Sequence, residues 1–147
     1  MNKKIVLLVE DNPDDIILTQ RAFNKSKLSE KINLLVVQNG NDALDFLFGK
    51  GTYIDRNTSV MPAVILLDLN LPRMRGFHIL EHIRADKRTK LIPVIILTSS
   101  KEEQDIKKAY ELGANSYIRK PVDFEKFSDV AQHMGLYWMI FNEPPPN

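Results

Sequence analysis

Val64-Ile65-Leu66-Leu67 are four apolar residues in a row, and Asp68 follows them directly. A short run without polar alternation predicts a strand covered on both faces, as in the middle of a parallel sheet. Such a strand constrains the rest of the chain, because it needs a strand on each side and helices above and below. It also delivers a lone carboxylate at its C-terminal end, the edge at which open parallel sheets bind ligands. Taken alone, a strand-end Asp is more often a turn or capping residue. What the other strands bring to the same edge decides between the two.

Residues 5–9 are a second unbroken apolar run, and they end in Glu10-Asp11. Lys3 and Lys4 before them resemble the start of a signal peptide, but this apolar run is too short for one. Asn12 is placed to cap a helix with Pro13 at its first position and Asp14 and Asp15 at the positive end of its dipole. Ile16, Ile17, Gln20 and Phe23 are expected on its inner face. Residues 34–37 predict a third strand, 41–48 a short helix and 49–61 a long surface connection. After Asp68, a turn over residues 72–76 leads to a helix over 77–85, with Ile79, Leu80 and Ile83 inward. Residues 94–97 predict another strand, running into Thr98. Ser100 and Glu103 have the spacing of a capping box, and the helix they would start stops at Gly113. Residues 117–121 give the fifth strand and its exit, and Asp123 caps a last helix to about Phe141. Five strands alternating with five helices predict a doubly wound α/β parallel sheet. Right-handed crossovers with one reversal predict strand order 2-1-3-4-5.

At 147 residues the chain is expected to be one domain. A formal net charge of +1 gives no bulk electrostatic reason to expect nucleic acid or an anionic membrane as partner. The absence of cysteine excludes disulfides and thiol catalysis and fits a cytoplasmic protein. No apolar run approaches membrane-spanning length.

In the predicted strand order, Glu10, Asp11, Asp68, Thr98 and Lys120 all fall at the carboxyl edge of strands one, three, four and five. Three carboxylates in one crevice repel one another, and a hard divalent cation and the Lys120 ammonium would relieve this. Mg2+ fits such an oxygen set, with Asp11 and Asp68 as direct ligands, the Asn70 backbone carbonyl as a third and Glu10 acting through water. A carboxylate beside a metal, a lysine and a hydroxyl is also a set of parts for receiving a phosphoryl group. Asp68 would attack in line, Lys120 would neutralise charge and Thr98 would donate a hydrogen bond.

Four motifs carry a family resemblance. They are Val9-Glu10-Asp11-Asn12, residues 66–72 (LLDLNLP), Leu97-Thr98-Ser99 and Tyr117-Ile118-Arg119-Lys120-Pro121. Over essentially its whole length the chain resembles the receiver domain of two-component response regulators. The resemblance implies that Asp68 is the phosphoacceptor, Glu10 and Asp11 the acidic pair, Thr98 the switch hydroxyl, Tyr117 the switch aromatic and Lys120 the lysine before a cis proline. Residues 11–15 (DNPDD), 67–74 (LDLNLPRM), 110–118 (YELGANSYI) and 135–145 (GLYWMIFNEPP) resemble more narrowly the standalone regulators paired with cyanobacterial phytochromes. That implies a phytochrome-type sensor histidine kinase as partner and an unidentified downstream protein. Arg75 departs from the pattern, which usually has an acidic residue or Asn before Gly76.

Other functions are less well supported. A haloacid-dehalogenase-type phosphatase needs a second Asp two residues after the nucleophile, and that position is Asn70. A flavin carrier would need a Ser/Thr/Gly-rich phosphate loop after strand one, where Glu10-Asp11 would repel the cofactor. No G-x-G-x-x-G is present. His78 and His82 lie four apart on a helix, but lack a third ligand and read as solvated, as does His133. No output domain is expected after the receiver, only a C-terminal extension over residues 135–147. There the last helix turns apolar all round, with Phe124, Phe127, Ala131, Met134, Trp138 and Phe141 inward and Leu136, Met139 and Ile140 outward. The outward three are expected to form a homodimer interface.

Overall fold

In a computed structural model, residues 3–120 and 123–146 are described. The strands are β1 (Lys4–Val9), β2 (Ile32–Val37), β3 (Val64–Leu67), β4 (Val94–Thr98) and β5 (Ser116–Arg119). Between and after them run α1 (Pro13–Lys25), α2 (Gly40–Phe48), α3 (Gly76–Ala85), α4 (Glu103–Glu111) and α5 (Phe124–Leu136). Among the described residues these strands form one sheet, all parallel, in the order β2-β1-β3-β4-β5. This is the expected doubly wound architecture. The Lys120–Pro121 bond, for which a cis geometry is implied, lies outside the described residues.

β1, β3 and β4 are apolar on both faces because both faces are covered. Leu7, Val9, Ile65, Leu67 and Ile96 pack under α2, α3 and α4, against Ala43, Phe46, Leu47, Ile79, Leu80, Ile83 and Ala109. Val6, Leu8, Val64, Leu66, Ile95 and Leu97 pack on the other side against Ala22 and Phe23 of α1 and Phe127 and Ala131 of α5. The long connection after α2 is tied down by Arg56. Its guanidinium lies 4.2 Å from the centre of the Phe46 ring and donates to the carbonyls of Phe46 and Val60, both at 2.6 Å.

Three local expectations need correction. On α1 the buried residues are Thr19, Ala22 and Phe23, while Ile17 and Gln20 face solvent. Thr19 can be buried because its hydroxyl donates to the Asp15 carbonyl at 2.7 Å, so a polar residue sits where an apolar one was expected. The capping box before α4 does not form. The helix begins only at Glu103, and Ser100 instead donates its hydroxyl to Asp105 at 2.6 Å. The third correction concerns the end of the chain. After α5 the helix widens into a π-helical turn, Tyr137–Phe141, closed by an i→i+5 bond from Asn142 N to the Tyr137 carbonyl. Within α5 the buried residues are Phe127, Ala131 and Gly135, and the wider turn that follows adds Met139 to this line. Met139, expected to face a partner, belongs to the core. Phe141, expected inward, is exposed, and Leu136 and Ile140 stay exposed as expected.

Two glycines differ in what they permit. A Cβ on Gly76 would press on the Asp68 carbonyl oxygen and lie 2.8 Å from Leu69 Cα, backbone that cannot move aside. A Cβ on Gly135 would meet the side chains of Ile32 and Leu28 at 3.4 and 3.6 Å, ordinary contact. In urea unfolding Gly76→Ala should lose about 1–3 kcal/mol through overpacking. Gly135→Ala should gain about 0.5–1 kcal/mol through helix propensity. Loss of stability in both would show that the α5 packing leaves no room for a methyl group.

Candidate functional site

The register of the strands assembles the site. Val9 pairs with Leu67, so the next residues, Glu10 and Asp68, come out side by side. Thr98 pairs with Arg119, so Lys120 emerges next to the end of β4. Backbone bonds extend the sheet past the strand ends, from Asp68 N to the Val9 carbonyl at 3.1 Å and from Lys120 N to the Thr98 carbonyl at 2.7 Å. These rungs fix the main chain at the residues whose side chains must converge.

The side chains do converge. One carboxylate oxygen each from Glu10, Asp11 and Asp68 lies within 4.8 Å of the others. Lys120 Nζ donates to Glu10 Oε1 at 2.5 Å and to Asp15 Oδ2 at 2.8 Å, and stands 3.6 Å from Asp68 Oδ2. Glu10, Asp68 and Thr98 are buried, while Asp11 is half-buried at the mouth. The Asn70 backbone N–H donates to Asp68 Oδ1 at 3.1 Å, and its side-chain amide donates to Thr98 Oγ1 at 3.3 Å. The turn that follows holds Arg73 at φ 66°, a left-handed conformation that costs a non-glycine residue energy. A set of carboxylate oxygens with no nitrogen or sulfur donor suits a hard cation of the Mg2+ or Mn2+ kind.

The other expected residues lie further out. Tyr117 is half-buried, and its hydroxyl donates to the Ser100 carbonyl at 2.9 Å, on the exit of β4. His78, His82 and His133 are exposed, and none joins a metal-type cluster among the described residues. Arg75 lies over the Phe77 ring, 5.7 Å from its centre, with Lys108 at 4.7 Å. The second carboxylate on Lys120 is Asp15, which the sequence marks only as a helix-dipole residue. No local signal points to this contact, because Asp15 and Lys120 lie 105 positions apart.

A family model, the response regulator receiver domain, matches residues 6–132. The chain belongs to this family. It is 35% identical to Response regulator Rcp1 of Synechocystis sp. (strain ATCC 27184 / PCC 6803 / Kazusa) over 92% of this chain and 89% of Rcp1. A Mn(2+)-bound form of response regulator Rcp1 superposes with a TM-score of 0.85 at 33% identity, covering 97% and 99% of the two chains. The phosphorylated cyanobacterial phytochrome response regulator RcpA superposes with a TM-score of 0.87 at 33% identity, covering 98% and 99%. The bacteriophytochrome response regulator RtBRR is 45% identical, with a TM-score of 0.78, covering 98% of this chain and 85% of its own. Among the described residues of this receiver, no helix is long and apolar enough to cross a membrane.

The electrostatics of the receiver's site are set by burial. Burial raises the Glu10 carboxyl from its ordinary value to about 7, with Asp68 adding to the rise and Lys120 opposing it. Burial works against the Lys120 charge as well, but the Asp15 and Glu10 carboxylates more than offset this and hold its pKa above the usual lysine value. Without a divalent cation, folded Glu10 therefore keeps a proton that the unfolded chain releases between pH 4.5 and about 7. Its contribution to stability falls as pH rises through that window. Melting in EDTA should show wild type losing ground to Glu10→Gln between pH 5 and 7. A difference between the two that stays constant across that range would contradict the raised carboxyl.

Proposed function

We propose that Asp68 accepts a phosphoryl group from a partner histidine kinase and that the protein signals through its own surface. The observation that carries this reading is a buried carboxylate at a strand end, flanked by Glu10, Asp11 and Lys120, in a chain of the receiver family. In the transfer, an Asp68 carboxylate oxygen attacks phosphorus in line as the phosphorus–nitrogen bond of the donor phosphohistidine breaks. The donor imidazole leaves with the electron pair. Lys120 neutralises the transferring oxygens, and Thr98 donates its hydroxyl to the bound group. Asp11, Asp68 and the Asn70 carbonyl would hold Mg2+, with Glu10 through water. When bound, Mg2+ would neutralise charge on the phosphoryl oxygens. Glu10 is already engaged by Lys120, which supports its standing one step back from the ion.

The protein is a cytoplasmic phosphoacceptor, not a turnover enzyme: Asn70 stands where an aspartyl phosphatase would place its proton donor. RcpA and RtBRR are described as phytochrome and bacteriophytochrome response regulators. Their likeness to this chain favours a phytochrome-type kinase as its partner. The switch runs through Thr98 and Tyr117. Thr98 moves toward the phosphoryl group, and the Tyr117 ring follows into the vacated space, giving up its bond to the Ser100 carbonyl.

Acetyl phosphate with Mg2+ should add one base-labile phosphoryl group to wild type and none to Asp68→Asn, read by intact mass. Equal labelling of both would overturn the assignment.

The exposed Leu136 and Ile140, 38% and 45% accessible, are the central contacts of a symmetric homodimer, joined by Tyr137 and Phe141 in place of Met139. Sedimentation should give a dimer for wild type and a monomer for Leu136→Glu/Ile140→Glu. A wild type that stays monomeric at high micromolar concentration would rule the dimer out.

A further inference from the structure

We propose that Asp15 restrains Lys120 in the unphosphorylated protein, competing with the acceptor site for its ammonium; this rests on Asp68 being the phosphoacceptor. An ammonium has three N–H donors and no acceptor. Two of its contacts here have charge-assisted hydrogen-bond lengths, 2.5 Å to Glu10 and 2.8 Å to Asp15. The third, 3.6 Å to Asp68, does not. Lys120 is therefore bonded to Glu10 and Asp15 and only stands near the acceptor.

The two carboxylates that hold it are not equivalent. Glu10 is 1% exposed, so breaking its bond to Lys120 would leave a buried polar group without a partner. The Asp15 side chain is 31% exposed and can pass to water at little cost. The main chain at Asp15 is fixed from both sides. Its N–H donates to Asn12 Oδ1 at 3.2 Å, and its carbonyl accepts from Thr19 Oγ1 at 2.7 Å. The first turn of α1 thus aims the carboxylate at Lys120. When an anionic group arrives on Asp68, Lys120 can keep Glu10 and exchange Asp15 for a phosphoryl oxygen. Asp15 is then released to solvent. On this account Asp15 is a positioning residue that lowers the affinity of the resting site for the phosphoryl group.

Calorimetric titration with beryllofluoride, a mimic of the acyl phosphate, in saturating Mg2+ tests this. Asp15→Ala should bind it about three- to tenfold more tightly than wild type, with Asp15→Asn in between. Asp14→Ala removes the same charge from the same helical turn but no bond to Lys120, and should leave the Kd within about twofold. A purely structural loss at Asp15 would weaken binding, so the direction of the change separates the two roles. Unchanged or weaker binding by Asp15→Ala, or equal tightening by Asp14→Ala, would overturn the restraint. A wild type that takes no beryllofluoride would instead overturn the phosphoacceptor reading on which it rests.

Discussion

The ammonium of Lys120, set among Glu10, Asp15 and Asp68, is the interaction on which the arrangement of this edge depends. Parallel strands expose their carboxyl ends together, and here that edge carries more negative charge than a partly buried crevice tolerates. One lysine bonds to two of the carboxylates and stands near a third, with Glu10 almost fully buried. A buried charge that loses its partner costs far more than the pair contributes, so Lys120 and Glu10 hold each other in place. Their juxtaposition in turn requires β1 and β5 at their observed positions on either side of β3 and β4.

The same constraint reaches the loops. The Asn70 main chain is held to Asp68 and its side chain to Thr98, so one residue ties the end of β3 to the end of β4. Gly76 lets α3 begin against the Asp68 and Leu69 backbone, where no side chain would fit. The excess of carboxylate at the mouth leaves the site short of positive charge, which a divalent cation would supply.

Much of this was legible in the residues themselves. The unbroken apolar runs ending in Glu10-Asp11 and Asp68 state both a two-sided sheet and what it presents at its edge, and the observed strand order follows from them. What was not legible depended on tertiary detail. Thr19 is buried because a backbone carbonyl takes its hydroxyl, a bond that periodicity does not reveal. Ser100 prefers Asp105 to the helix end it could have capped. Met139 turns inward because one π-helical turn changes the repeat from 3.6 residues, which an α-helical stripe assumes throughout. Asp15 looked like an ordinary dipole residue because its partner lies 105 positions away.

If excess negative charge at the carboxyl edge is what prepares this protein for phosphorylation, a divalent cation must stabilise the folded state. The most direct measurement is the melting temperature of the wild type as Mg2+ is raised from zero into the millimolar range at constant ionic strength. The account predicts a continuous rise of the form expected for a ligand that binds only the folded chain. A melting temperature that does not respond to millimolar Mg2+ would contradict it.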